Sequence, residues 1–277
     1  MPDDLPNFAL LKQMNMSHIF ITGSSDGLGL MAAQAMIANG HHVVLHARNE
    51  KRAEEALQLL PDAVTVLTGD LSNISETIRL AEKVNELGTF DAVIHNAGIG
   101  YREPVRKATA DGLPEVFAVN SLAPYLLTAL INQPSRLIYL SSGLHTQGDP
   151  GVQDITWEKR RWNGFQAYAD SKLHDLILSQ AVARLWPGVY SNAVEPGWVA
   201  TKMGGPDATD NLLMASETQV WLAVSNDPEA MVTGKYFYHQ KLIGYNPSAG
   251  SLAIQEQFLY ACEKLTGIVF HPKKQRQ

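Results

Sequence analysis

Apolar residues in this chain alternate between two spacings. Short unbroken runs such as Ile19-Phe20-Ile21 and Val43-Val44-Leu45 are separated by longer stretches in which apolar positions recur every three or four residues. The first kind suits strands covered on both faces, and the second suits helices with one buried stripe. Strands are expected over 18–22, 41–47, 64–68, 91–95, 136–140, 190–195 and 235–239. Helices are expected over 29–39, 50–60, 72–87 with Ser72 as N-cap, a run ending near 132, 168–185, 212–225 and 251–265. Pro114 and Pro124 interrupt the fourth helical run, so it must start late, kink or divide. Asn120 lies between them, where an amide is ordinarily unfavourable or outward-facing.

Strand and helix alternating from end to end predict an α/β fold: a Rossmann-type, doubly wound parallel sheet of about seven strands with helices on both faces. Residues 1–17 read as a leader, 18–272 as one domain and 273–277 as a solvated tail. Inside the domain, 143–165 is a long irregular connection, either a lid or a surface excursion packed by Trp157 and Trp162. A second segment, 198–226, is expected on the substrate side; its part 202–211 is rich in Gly, Asp and Pro.

Composition narrows the function. A net charge of -6 argues against nucleic acid and against an anionic membrane surface. No apolar run reaches the roughly 18–20 residues that span a bilayer, and the acidic, polar N-terminus reads as neither signal peptide nor anchor. Cys262 is the one cysteine, which leaves no internal disulfide and no metal cluster, and fits a reducing, cytoplasmic setting.

Candidate chemistry lies at the strand ends. Gly23-x3-Gly27-x-Gly29, with Ser25 and Leu28 between the glycines, joins a strand to a helix. Glycines there let the backbone approach a pyrophosphate, and the helix N-terminus offers N–H groups and a positive dipole end. Arg48-Asn49 ends the second strand with no carboxylate before Glu50, which favours the 2′-phosphate of NADP(H) over the free hydroxyl of NAD(H). Asp26 inside the Gly loop does not help a phosphate. Tyr168 and Lys172, four residues apart, share one helix face, where the ammonium is expected to lower the phenol's pKa toward use as a general acid/base. Asp70, Asn96-Ala97-Gly98, Ser142 and Pro196 also fall at strand ends, on the rim where such sheets bind ligands.

Thr22-Gly-x3-Gly-x-Gly29, Asn96-Ala-Gly98, Asn120, Ser142, Tyr168-x3-Lys172 and Pro196-Gly-x3-Thr201, in this order, resemble the short-chain dehydrogenase/reductase family over residues 18–239. The long loop before Tyr168 and the later Gly-Lys-Tyr-Phe run are most similar to its retinol-dehydrogenase-like and carbonyl-reductase-like members. The resemblance implies an NADP(H)-dependent oxidoreductase that interconverts an aldehyde or ketone and an alcohol. Tyr168 would be the general acid/base, Lys172 its pKa-lowering partner and ribose ligand, Ser142 the donor to the substrate oxygen, and Asn120 the holder of a relay water. Gly23, Gly27 and Gly29 would underlie the pyrophosphate, with Arg48 and Asn49 at the 2′-phosphate and Asp70 and Leu71 around adenine. Asn96 would lie by the adenine ribose and Val199 and Thr201 by the carboxamide, with Ala97, Gly98, Pro196 and Gly197 also binding the cofactor. Expected substrate walls are Leu144, Trp157, Trp162, Phe165, Trp198 and Met203. His145, in the loop after Ser142, either touches substrate or is solvated. His95 stands where the family often has Asn, and reads as a hydrogen-bonded core residue. The family also implies a homodimer or homotetramer. Two other classes stay open: a catalytically silent dinucleotide-binding regulator and a redox-neutral epimerase or dehydratase.

Overall fold

The computed structural model describes residues 16–273 of the 277-residue chain. The leader falls almost wholly outside the described residues, and the tail does so from 274 onward. One sheet runs through the molecule in the order β3-β2-β1-β4-β5-β6-β7-β8. Its strands are β1 (His18–Ile21), β2 (His42–Ala47), β3 (Thr65–Thr68), β4 (Ala92–His95), β5 (Arg136–Leu140), β6 (Tyr190–Glu195), β7 (Lys235–Tyr238) and β8 (Lys241–Leu242). The first seven pair in parallel, and β8 folds back antiparallel on β7. This two-residue eighth strand adds to the expected sheet of about seven. It is too short to carry a periodicity, and it follows a turn in which His239 and Gln240 both take positive φ.

The pleat sorts the apolar runs into two cores. Phe20, Val44, Val93 and Leu137 face one layer, built by α3 (Ile74–Glu86), α4 (Ala123–Leu130), α5 (Gly164–Leu185) and α7 (Leu252–Thr266). Ile19, Ile21, Val43, Leu45, Ala92 and Ile94 face the other, where α1 (Gly27–Ala38), α2 (Glu50–Leu59) and α6 (Leu212–Val224) pack. Among the described residues no helix is long and apolar enough to cross a membrane.

Three boundaries differ from the sequence reading. Asn73, not Ser72, caps α3 by accepting from Glu76 N at 3.0 Å, while the Ser72 hydroxyl donates to Asp70. The helix carrying Tyr168 begins a turn earlier, at Gly164, because Asn163 caps Gln166 N. The stretch between the prolines divides: one turn, Glu115–Phe117, then a π-helical turn, Ala118–Leu122, then α4 with Pro124 in its first turn. The π turn holds Asn120, whose amide is neither outward nor unpaired. It accepts from Ile99 N at 2.8 Å and donates to Ile99 O at 3.1 Å and Ser171 Oγ at 3.0 Å.

Neutral histidines are built into this core. His95 bonds Thr128 Oγ1 at 3.0 Å and stacks on Tyr139, which makes it the hydrogen-bonded core residue expected. His174 bonds Ser121 Oγ at 3.0 Å, and His46 joins the first Gly of the phosphate loop to β3's end. Burial pushes His46 down to about 4, and His95 and His174 down to about 3. Their folded-state values lie below the unfolded value, so the unfolded chain binds more protons and stability falls as pH drops below about 6.5. From pH 7 to 5 each histidine should cost about 2 kcal/mol, or about 6 kcal/mol for the three. Urea unfolding at the two pH values should show that loss, and His95→Gln should remove about a third of it.

Candidate active site

The C-terminal ends of β1 and β4 diverge where the chain switches sides of the sheet, and a cleft of about 870 Å³ opens there. Its floor is fixed by side chains of the strand ends. Thr22 Oγ1 accepts from Asn96 N and Ala97 N, both at 3.0 Å, and Asn96 Nδ2 donates to Thr22 O at 2.9 Å and Gly23 O at 3.0 Å. The Asn96 amide nitrogen is therefore engaged in holding the loop, while the residue still lines the cleft. His46 completes the brace: Nδ1 accepts from Gly23 N at 2.9 Å and Nε2–H donates to Gly69 O at 2.9 Å. No motif pointed to His46.

Of the residues expected around a dinucleotide, Gly23, Ser25, Gly27, Leu28, Arg48, Asn49, Asp70, Leu71, Asn96, Ala97, Gly98, Pro196 and Thr201 line the cleft together with Tyr168 and Lys172. Gly29, Gly197 and Val199 do not. Gly29 works underneath, since a Cβ there would stand 2.4 Å from Asn96 Nδ2 and 2.6 Å from Gly23 O. Gly197 takes φ +85, and its Cβ would strike the Asp210 carboxylate that accepts from Trp198 N. Val199 is buried.

The cleft fits a nicotinamide dinucleotide. Space above Gly27 at the N-terminus of α1 is open, with nothing within 4 Å of where a Cβ would lie. At the other end Gly98 leaves the Lys172 ammonium uncovered, its absent Cβ lying 3.5 Å from Nζ. Basic groups at the end of the cleft beside β2 are already partnered. Arg48 bonds Asp70 at 2.9 Å with Glu115 at 3.8 Å, and Arg52 meets Asp26 at 3.2 Å. Lys202 also pairs with Asp26, and that bond first, with Arg52 adding to it, holds the Asp26 carboxyl below its usual range. Arg52 and Lys202 both line the cleft and escaped the motif reading. The signal for Arg52 is a second basic residue one turn into the helix that Asn49 caps.

At the chemical end, α5 carries Tyr168 and Lys172, both buried. Lys172 Nζ donates to Leu140 O at 2.6 Å and to Asp175 Oδ2 at 2.9 Å, and lies 5.7 Å from the Tyr168 ring centre. The two candidate serines separate. Ser141 lines the cleft and its Oγ donates to Lys172 O at 2.7 Å, whereas Ser142 does not line it, its Oγ accepting from Leu144 N at 3.3 Å while its hydroxyl helps draw the Tyr168 pKa down. Lys172 draws the Tyr168 pKa down as expected, but burial outweighs it and the net shift is upward. Burial raises it first, the Asp175 carboxylate and Tyr101 raise it further, and Lys172 with Ser142 recovers only part. His145 is neither solvated nor in the cleft. It is buried, with Nδ1–H donating to Ser142 O at 2.7 Å and Nε2 accepting from Asn246 N at 3.2 Å, which fixes the Ser142 turn from behind.

Among the expected substrate walls, Met203 lies at the site, its Sδ 3.9 Å from the Tyr168 hydroxyl. Tyr101, which sequence reasoning missed, tilts against Tyr168 at 5.5 Å. The other five do not line the cleft. Trp157 is buried in the 143–165 connection at φ 56, with Arg160 3.6 Å from its ring centre and Trp162 edge-on at 5.2 Å. Trp162 donates to Glu103 O, and Trp198 to Gly204 O. Phe165 is exposed, and Leu144 follows the Ser142 turn with its N–H on Ser142 Oγ. Aromatic character alone could not tell a wall from internal packing. The connection itself is fastened to the catalytic helix by Arg160, whose Nη2 meets the buried Asp170 at 2.7 Å, two residues beyond Tyr168.

The short chain dehydrogenase family matches residues 17–144. Short-chain dehydrogenase chyC of Penicillium rubens is 45% identical over 257 residues, spanning 91% of this chain and 98% of its own. Retinol dehydrogenase 13 of Homo sapiens is 28% identical, over 90% of this chain and 84% of its own. Among solved structures, a protein of Mycobacterium paratuberculosis superposes with a TM-score of 0.79 at 24% identity, over 96% of this chain and 97% of that one. The motif order, the sheet and its rim, and the extent of the chyC match lead to one assignment: the chain belongs to the short-chain dehydrogenase family of nicotinamide-dinucleotide oxidoreductases.

Proposed function

We propose that this enzyme reduces an aldehyde or ketone to an alcohol with NADP(H). The observation that carries the reading is the reach of one cleft, from Arg48 and Arg52 at one end to Tyr168 and Lys172 at the other. A bound reduced nicotinamide supplies a hydride, that is, two electrons and a proton equivalent to the carbonyl carbon. The chain supplies the rest. Negative charge grows on the substrate oxygen as the carbonyl is reduced, and the Ser142 and Tyr168 hydroxyls are donors preorganised to meet it. The Tyr168 proton passes to that oxygen, leaving a phenolate that the adjacent Lys172 cation stabilises. Asn120, held at both ends by Ile99 and Ser171, fixes the connection that borders Gly98 and adjoins the helix from which Lys172 extends. A relay from Lys172 past Asn120 to solvent would then reload the phenol.

Arg48 and Arg52 support NADP(H) over NAD(H). A 2′-phosphate entering between them would exchange their carboxylate partners for a dianion with bidentate geometry. Tyr101 and Met203 beside Tyr168 suit a substrate with an apolar flank next to its carbonyl. A lone, buried Cys262 suits a reducing, cytoplasmic setting.

Tyr168→Phe should lower kcat/KM across a panel of aldehydes and ketones by about 10²-fold or more while NADPH affinity by fluorescence titration stays within about twofold. Turnover that survives the substitution would remove Tyr168 as the acid. Arg48→Glu and Arg52→Glu should each cut the NADPH-to-NADH affinity ratio by about tenfold or more, as expected for loss of a charged hydrogen bond to phosphate. A ratio unmoved in both variants would point to NAD(H).

A further inference from the structure

Ser142 is presented by a weak element. Its own backbone is extended, and it leads into a single 3-10 turn, Gly143–Gln147, a form with poor hydrogen-bond geometry and little stability of its own. A donor meant to meet growing charge must nevertheless hold its place, because a misplacement of about 1 Å can cost about 10²-fold in rate. The support comes from His145, three residues on. Its backbone N–H donates to Ser142 O at 3.0 Å, and its ring Nδ1–H donates to the same oxygen at 2.7 Å. On the far side of the ring, Nε2 accepts at 3.2 Å from Asn246 N, in the loop that leads from β8 toward α7.

These contacts admit one state of the ring. Nδ1 faces an oxygen and must carry a proton, whereas Nε2 faces an N–H and must not. The ring is buried and stands edge-on to the buried Tyr236, with centres 4.9 Å apart. The Tyr236 hydroxyl lies 3.4 Å from Nδ1 and donates its own proton to Glu195 Oε2, also at 3.4 Å. Neighbours wedge the turn as well. A Cβ on Gly143 would stand 2.6 Å from Glu195 Oε1, and one on Gly148 would stand 2.7 Å from Ala169 O and from Leu173 Cβ of α5.

We propose that His145 is a positioning residue: held as its neutral Nδ1–H tautomer, it locks the turn that presents the Ser142 hydroxyl and joins that turn to the loop ahead of α7. The proposal rests on the carbonyl-reductase reading above, in which Ser142 meets the substrate oxygen. It adds that the accuracy of this contact is set by a side chain that does not line the cleft. Burial keeps the ring below the ordinary histidine range, in agreement with the neutral form that the two contacts require.

The test compares His145→Leu with His145→Asn, which have nearly the same shape; only the Asn amide can place an N–H where Nδ1–H stands. His145→Leu should lower kcat for carbonyl reduction by about tenfold or more with KM and NADPH affinity within about twofold, and His145→Asn should stay within about threefold of wild type. On a Ser142→Ala background His145→Leu should cost less than about twofold further, since nothing is left to position. Equal losses in the Leu and Asn variants, or a full loss added to that of Ser142→Ala, overturns the proposal. Should His145→Leu not fold, Asn246→Pro decides: proline matches the φ of -55 at that position and removes the N–H that Nε2 accepts. It should lower kcat by about threefold or more with Ser142 present and leave Ser142→Ala unchanged, and equal effects on both backgrounds overturn the proposal. Amide hydrogen exchange across residues 141–148, read by mass spectrometry on the cofactor-free full chain, should speed up by about threefold or more in His145→Leu and stay near wild type in His145→Asn. Exchange that changes equally in both variants, or in neither, also overturns it. Failure of wild type to reduce any aldehyde or ketone would remove the carbonyl-reductase reading, and the exchange measurement, which uses no substrate, would still decide whether His145 locks the turn.

Discussion

The molecule depends on how the polar groups at the switch point between β1 and β4 are satisfied. Parallel strands end there without a continuing ladder, and a loop of glycines must turn through the gap while leaving room above it. Backbone N–H and C=O groups in such a place need side-chain partners, because burying them unpaired costs about 1–3 kcal/mol each. Thr22, Asn96 and His46 supply those partners, and they do so from below the loop. The upper side stays open, and the N-terminus of α1 faces it. The same economy of position recurs at the far end, where His145 and Ser141 engage the backbone around Ser142 and Lys172.

Much of the frame was legible in the sequence because two periodicities carry it. Seven strands, each long enough to show an apolar run, and the helices between them fall close to the expected spans, and the motif residues arrive on one rim. Features set by tertiary contact were not legible. Asn120 looked like a mid-helix liability, and its value appears only when Ile99 and Ser171 close around its amide within a π turn. Ser72 had the chemistry of a cap, yet Asn73 took the position because the Asp70 carboxylate already held the Ser72 hydroxyl. The tryptophans near the site read as walls, but Trp157 and Trp162 pack on each other and on Arg160.

Electrostatics was the least legible level. Charges separated by tens of residues in sequence meet as partners, Arg48 with Asp70 and Arg52 and Lys202 with Asp26, and Lys172 meets Asp175 one helical turn on. A motif names the functional member of such a pair and is silent on the other. The acidity of Tyr168 is the clearest case, since the four-residue spacing to Lys172 gave one sign and burial with Asp175 gave the other.

The Arg160–Asp170 bond bears on how such an enzyme changes over evolutionary time. It makes the long connection of residues 143–165 and the helix bearing Tyr168 a single mechanical unit, joined through a buried carboxylate rather than through the chain alone. A connection of a different length or composition could be exchanged into this position only if it brought its own cation to Asp170, or if the acid were lost in the same step. Diversification of the region beside the active centre is thereby coupled to one position on its most constrained helix.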